Sequence, residues 1–201
     1  MTTDFRAALM EHVRHEAKPV DKYGHQPRLY TLTREVGRGH DYDDDVVFAA
    51  AWLHDLGVFV GHRPEDPAEL ARWNHVRYAC EHAPRILADA GFPSEKIPRV
   101  LSVIQEHQPQ DEPTSVEAMI LRDADILEQL GAIGILRTVS KVGRDTRYPT
   151  FSDAMKVLQK NLETLPGKIR LESTKKLAES RVAVLQEFLT AVETEAKENL
   201  F

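Results

Sequence analysis

A single cysteine, Cys80, stands among 201 residues, so an intramolecular disulfide and any cysteine-rich zinc site are excluded. Its place among apolar positions of an expected helix points to a buried thiol. No apolar run approaches the ~20 residues that a membrane span needs. The polar start, Met1-Thr2-Thr3-Asp4, has no signal-peptide hydrophobic stretch. A cytoplasmic location without a membrane partner is therefore the expectation. A basic stripe is also missing: 26 Lys+Arg face 32 Asp+Glu, giving a formal charge of −6. Such a chain is poorly suited to binding a nucleic acid duplex. Strand signals, repeats and low-complexity tracts are nearly or wholly absent.

Helical periodicity is what remains. The length suits one domain with a sizeable core. Phe5, Leu9 and Val13 place a short amphipathic helix over about 4–16, and a second runs over about 26–36 with Pro27 in its first turn. Asp41, Asp43 and Asp44 suit the N-terminus of a third, over about 43–56. Gly61, Pro64 and Pro67 make the stretch from Phe59 to Asp66 a loop. A helix over 74–90 runs through Pro84, and Ser94 caps another that reaches His107. Thr114-Ser115-Val116-Glu117 has the pattern of a capping box and opens a helix to about Leu130. Two more are expected over 151–163 and 168–196, parted by Pro166-Gly167. The fold class expected is an all-α, single-domain helical bundle.

One stretch carries chemistry. The run Ala49-Ala50-Ala51-Trp52-Leu53 is almost without polarity and stops on His54-Asp55, followed by Leu56-Gly57. Taken alone, the pair caps a core helix, the imidazole favouring the negative end of the dipole. It has company, however: His25 with Arg28 one turn later, and Asp123-Ala124-Asp125 downstream. Adjacent helical residues diverge by about 100°. His54 and Asp55 can share an ion only where the helix relaxes, and Gly57 permits that. Among the carboxylates, the apolar stripe Val116, Met119, Ile120, Ile126, Leu127 and Leu130 turns Asp123 inward and Asp125 nearly opposite. His75 and His107 divide evenly between ordinary histidines and site groups, while His40, His62 and His82 receive no role.

The order His25, then His54-Asp55, then Asp125 resembles the HD superfamily of metal-dependent phosphohydrolases. Leu53-His54-Asp55-Leu56-Gly57, Asp123-Ala124-Asp125-Ile126-Leu127-Glu128 and Gly131-Ala132-Ile133-Gly134-Ile135-Leu136-Arg137 are similar to successive blocks of a small bacterial subfamily. The likeness covers roughly residues 20–196. It implies one HD domain over 1–201, with a core over about 20–142 and helices over 151–196 packed onto it. It implies a divalent metal held by His25, His54, Asp55 and Asp125, because the family's last ligand is the Asp of an Ala-Asp pair. Such a donor set suits Mn, Co, Ni, Fe, Mg or Zn without singling one out. Asp123 becomes a supporting carboxylate or proton acceptor. His75 and His107 bind phosphate or a second metal, and Arg28 binds phosphate or buttresses Asp55. The activity implied is cleavage of a phosphoester or phosphoanhydride, most simply in a small nucleotide, by a metal-bound hydroxide. One departure stands out: no carboxylate closely follows His54-Asp55, where some relatives keep a catalytic acid, and Glu65 and Asp66 lie further along. Two rivals stay open, a di-iron oxygenase of the same fold and a metal-containing sensing or binding module. A homo-oligomeric state stays open too.

The two aspartates can be told apart. Asp125→Asn is expected to lose metal affinity. Asp123→Asn is expected to keep the ion and lose rate, within the ~10–100-fold typical of groups supporting a metal ligand. Metal titration of both apo variants checks this, and tighter binding by Asp125→Asn reverses the assignment.

Overall fold

From Val46 to Leu53 no residue is polar and every one is buried. A helix apolar all round must lie at the centre of its unit, and this one, α3 (Asp44–Leu53), does. Its acidic start fixes one end. The Asp43 side chain caps it by accepting the Asp45 N–H. The Arg6 guanidinium donates to Asp44 and Asp45 at 2.8 and 2.6 Å. The Lys96 ammonium donates to Asp43 and Asp45 at 3.1 and 3.0 Å, and Arg99 reaches Asp43 at 3.1 Å. These carboxylates are structural.

The computed structural model describes residues 4–144, 148–197 and 199–200, so the polar start Met1 to Thr3 lies outside it. The described residues are all-α, with one isolated bridge between Val60 and Arg63. Two compact units divide at Arg122/Asp123. In the first, α1 (Phe5–Glu16), α2 (His25–Val36), α5 (His75–Asp89) and α6 (Ile97–Gln105) pack on α3, and α4 (Pro67–Ala71) lies in the α3–α5 connection. The boundary falls within α7 (Val116–Glu128). In the second, α8 (Gly131–Val139), α9 (Phe151–Thr164) and α10 (Glu172–Ala196) pack on one another. No helix among the described residues is long and apolar enough to cross a membrane.

Local signals were overridden in several places. Asp66 ends the expected loop and caps the short helix α4, over residues to which the sequence reading assigned no element, by accepting the Ala68 and Glu69 N–H groups at 2.9 Å each. Ser94 opens a 3-10 turn, Ser94–Lys96, and makes no side-chain cap to α6. The expected Thr114/Glu117 capping box is absent. The Thr114 N–H, which the box would give to Glu117, goes to the Glu106 carboxylate at 2.6 Å, and the Thr114 hydroxyl donates to the same carboxylate at 3.0 Å. Ser115 takes over, accepting the Ala118 N–H at 3.1 Å, and Glu117 instead accepts from the Asp43 N–H and Arg99. The capping box forms at Thr150/Asp153. Cys80 is half-buried rather than buried, and that burial pushes its thiol up.

Asp123 is fully buried, as the apolar stripe required. Its oxygens accept the Arg170 N–H at 3.1 and 3.2 Å and the Leu171 N–H at 2.8 Å. Leu171 precedes α10 and has no side-chain cap of its own. Asp123→Ala is expected to lower unfolding stability by about 1–3 kcal/mol, the cost of leaving buried donors unpaired. Urea unfolding measures this, and an unchanged midpoint would contradict the structural role.

Candidate metal centre

Where the apolar run of α3 ends, the helix ends. His54 keeps helical angles (φ −57°, ψ −34°), and its N–H still bonds the Ala50 carbonyl. Asp55 leaves the helix at φ −102°, ψ 16°, and a 3-10 turn, Leu56–Val58, follows. This break undoes the divergence between neighbours on a helix, and His54 Nε2 comes to 3.6 Å from Asp55 Oδ2. Gly57 serves the turn differently from the helix-stopping role its type suggests. A Cβ there would meet the Cα and carbonyl oxygen of His75 at 2.7 Å, so its use is close backbone approach. The Trp73 indole N–H donates to the Gly57 carbonyl at 2.7 Å. Asn74 then caps α5, whose first residue is His75.

Imidazoles surround Asp55. His25 Nε2 lies 3.8 Å from its Oδ2 and 3.4 Å from His54 Nε2. His75 Nε2 lies 3.8 Å from its Oδ1. Donor atoms of His54, Asp55 and His107 all fall within 4.8 Å of one another. Burial pushes the Asp55 carboxyl up, but His54, His25, His75 and His107 outweigh it and hold the group well below the usual carboxylate range. The carboxylate is therefore an ionised acceptor.

The donor chemistry fits a divalent ion. The His54 Nδ1–H donates to the Ala51 carbonyl at 3.0 Å, and the His107 Nδ1–H to the Ile104 carbonyl at 2.6 Å. Each bond commits Nδ1 as the donor, so Nε2 pairs with the nearby carboxylate while the ring is protonated and offers the lone pair that metal-ligating histidines require once that proton is lost. Ligands about 2.1 Å from one ion lie roughly 3.0–3.4 Å apart; the His25–His54 separation of 3.4 Å meets this, and the 3.6–3.8 Å separations from Asp55 are a little longer. Helix dipoles act the same way. Lys96 and Arg99, at the start of α6, pair with Asp43 at the start of α3, and His54 and His107 follow the two far ends. The helices thus run parallel, and both negative C-terminal ends face the cluster, which favours a cation.

The remaining expected residues are placed as follows. Arg28 is exposed on α2, three residues beyond His25. Asp125 is half-buried on α7, where the Gln129 amide donates to its Oδ2 at 3.1 Å. Asp123 is engaged by backbone N–H groups of its own unit. Of the carboxylates after Asp55, Asp66 is spent as a helix cap, and Glu65 is exposed. The sequence reading missed three supports. Arg122, only 1% exposed, donates to the carbonyls of Gln108 and Pro109 at 3.2 and 2.7 Å and so fixes the segment after His107. Gln108 Nε2 lies 3.3 Å from His75 Nε2. His62 bridges the Leu56 carbonyl and the Glu16 carboxylate, at 2.9 Å each. An arginine inside the apolar run of α7 was the one visible signal, since a buried charge needs partners.

The HD domain family model matches residues 23–130, more than half of the chain, and the chain belongs to that family. Solved structures agree on the fold. A protein of Lactobacillus plantarum is 19% identical with a TM-score of 0.74, covering 98% of this chain and 99% of its own. Bacillus subtilis YpgQ in complex with ADP is 22% identical with a TM-score of 0.72, covering 97% of each chain. A predicted HD superfamily hydrolase from an uncultured Thermotogales bacterium is 25% identical with a TM-score of 0.63, covering 94% of this chain and 91% of its own. A search of curated proteins found no match.

His54→Ala and Asp55→Ala are each expected to abolish metal retention while leaving most helicity, and His25→Ala to behave similarly. Elemental analysis beside circular dichroism checks this, and full metal content in either of the first two variants contradicts the centre.

Proposed function

We propose that this protein is a metal-dependent phosphohydrolase acting on a small nucleotide. The observation that carries the reading is Asp55, an ionised carboxylate facing three imidazole Nε2 atoms at 3.6–3.8 Å. His25, His54 and Asp55 would hold the ion, and Asp125 is the fourth ligand that the Ala124-Asp125 pair implies. A divalent ion bound there would supply an acidified water and a Lewis acid for a phosphoryl oxygen. The protein's own groups do the rest. His54 and His107, locked by the Ala51 and Ile104 carbonyls, would present Nε2 to an ion without reorganisation, giving up a proton as it binds. His75 is half-buried, beside the other oxygen of Asp55, and takes a phosphoryl oxygen or a proton. With His107 it also provides donors for a second ion. Arg28, exposed one turn from His25, meets an outer phosphate. We leave Asp123 out of proton transfer, because backbone N–H groups occupy both its oxygens.

The nucleotide is supported by the ADP complex of YpgQ, a protein alike in fold. Phosphate release is the test, measured over nucleoside mono-, di- and triphosphates with several divalent ions. Activity is expected to vanish with a chelator and to return with Mn²⁺ or Co²⁺ at least as well as with Mg²⁺, since nitrogen ligands suit later ions. Activation by Mg²⁺ alone contradicts the ligand set. Two equivalents of iron without phosphate release point instead to oxygen chemistry, and a metal-loaded protein inert to the whole panel points to a sensing module.

A further inference from the structure

We infer that Trp73 is a positioning residue whose indole N–H, anchored on the Gly57 carbonyl, sets His75 against Asp55. This rests on the reading of His75 as a group of the metal centre. The indole bond is 2.7 Å long, shorter than the ~2.9–3.0 Å usual for N–H···O. Its acceptor lies two residues after Asp55. At the same glycine, a Cβ would meet His75 Cα and O at 2.7 Å and His75 Cβ at 2.9 Å. The two backbones therefore lie directly against each other, and the residue two before His75 ties them. The ring tip of His75 then stands 3.8 Å from Asp55 Oδ1, with Gln108 Nε2 at 3.3 Å from the same nitrogen.

Trp73 is half-buried, its ring 5.5 Å from that of Tyr78, so packing alone leaves it a partly open side. Asn74, between Trp73 and His75, caps α5 by accepting the Arg77 N–H. That cap shapes the first turn but makes no bond to the Asp55 segment; the indole does. His54 differs, because its ring is fixed by a carbonyl of its own helix. Loss of the indole N–H should therefore move His75 and spare His54.

Trp73→Phe keeps an aromatic ring and removes the donor together with the smaller ring of the indole. In the metal-free protein, the ring ¹⁵N resonances of His75, assigned by their loss in His75→Ala, are expected to shift. Those of His54, assigned in the same way, are expected to stay. Unmoved His75 resonances overturn the inference, and so does an equal shift of both rings. In the Mn²⁺-loaded enzyme, Trp73→Phe is expected to lower kcat/KM about tenfold in the parent and less than about twofold in His75→Ala, as coupled residues do. Equal losses in the two backgrounds overturn it. Trp73→Tyr, another ring without the indole N–H, is expected to repeat the Phe result, and a thermal melt confirms that both variants fold. The resonance shifts need neither metal nor substrate. Absence of phosphate release therefore overturns the proposed function, while the shifts still decide the positioning.

Discussion

The charge on Asp55 is the constraint around which the first unit is arranged. A carboxylate drawn out of water tends to take up a proton, and here four imidazoles hold it ionised instead. Nitrogen and oxygen donors gathered this closely need positive charge among them, from protons on the rings or from a metal ion, and need the rings held in place. The protein supplies rigidity from several directions. His54 is fixed by the last turn of α3, His107 by the last turn of α6, and His75 by the backbone packed on Gly57.

Rigidity at one end of α3 depends on the other. Arg6, Lys96 and Arg99 hold the acidic start of the helix, and Lys96 and Arg99 belong to the beginning of α6. Two parallel helices of 10 and 9 residues are thereby aligned at their starts. At about 1.5 Å per residue their far ends come level, which brings His54 and His107 to a ring separation of 4.9 Å. Ion pairs remote from the cluster thus set its geometry. The partly exposed pairs contribute little to stability one by one, and alignment is the better description of their effect.

Much of this was legible from residue type and order. The apolar run, the His-Asp stop and the inward face of Asp123 all follow from periodicity, and the ligand order pointed to the family. Tertiary partners account for what was not legible. Thr114 and Glu117 carry a capping-box pattern, yet each finds an acceptor or donor brought by another element. Gly57 has the residue type of a helix end, and its use lies in the backbone of a residue eighteen positions away. Asp123 was selected correctly as buried, but its partners, the Arg170 and Leu171 N–H groups, are remote in the chain and leave no local trace. The division at Arg122/Asp123, inside a continuous helix, has no composition shift to announce it.

His54 and His107 share one device: each ring donates to the carbonyl three residues earlier, in the last turn of its own helix. Those carbonyls belong to the group that a helix end leaves without intrahelical partners. Fraying of either end frees the ring to rotate, and a bound ion resists fraying of both. Occupancy of the centre and the local opening of two helix ends are therefore linked equilibria. A ligand that never touches the backbone would register as slowed amide exchange at the ends of α3 and α6 together.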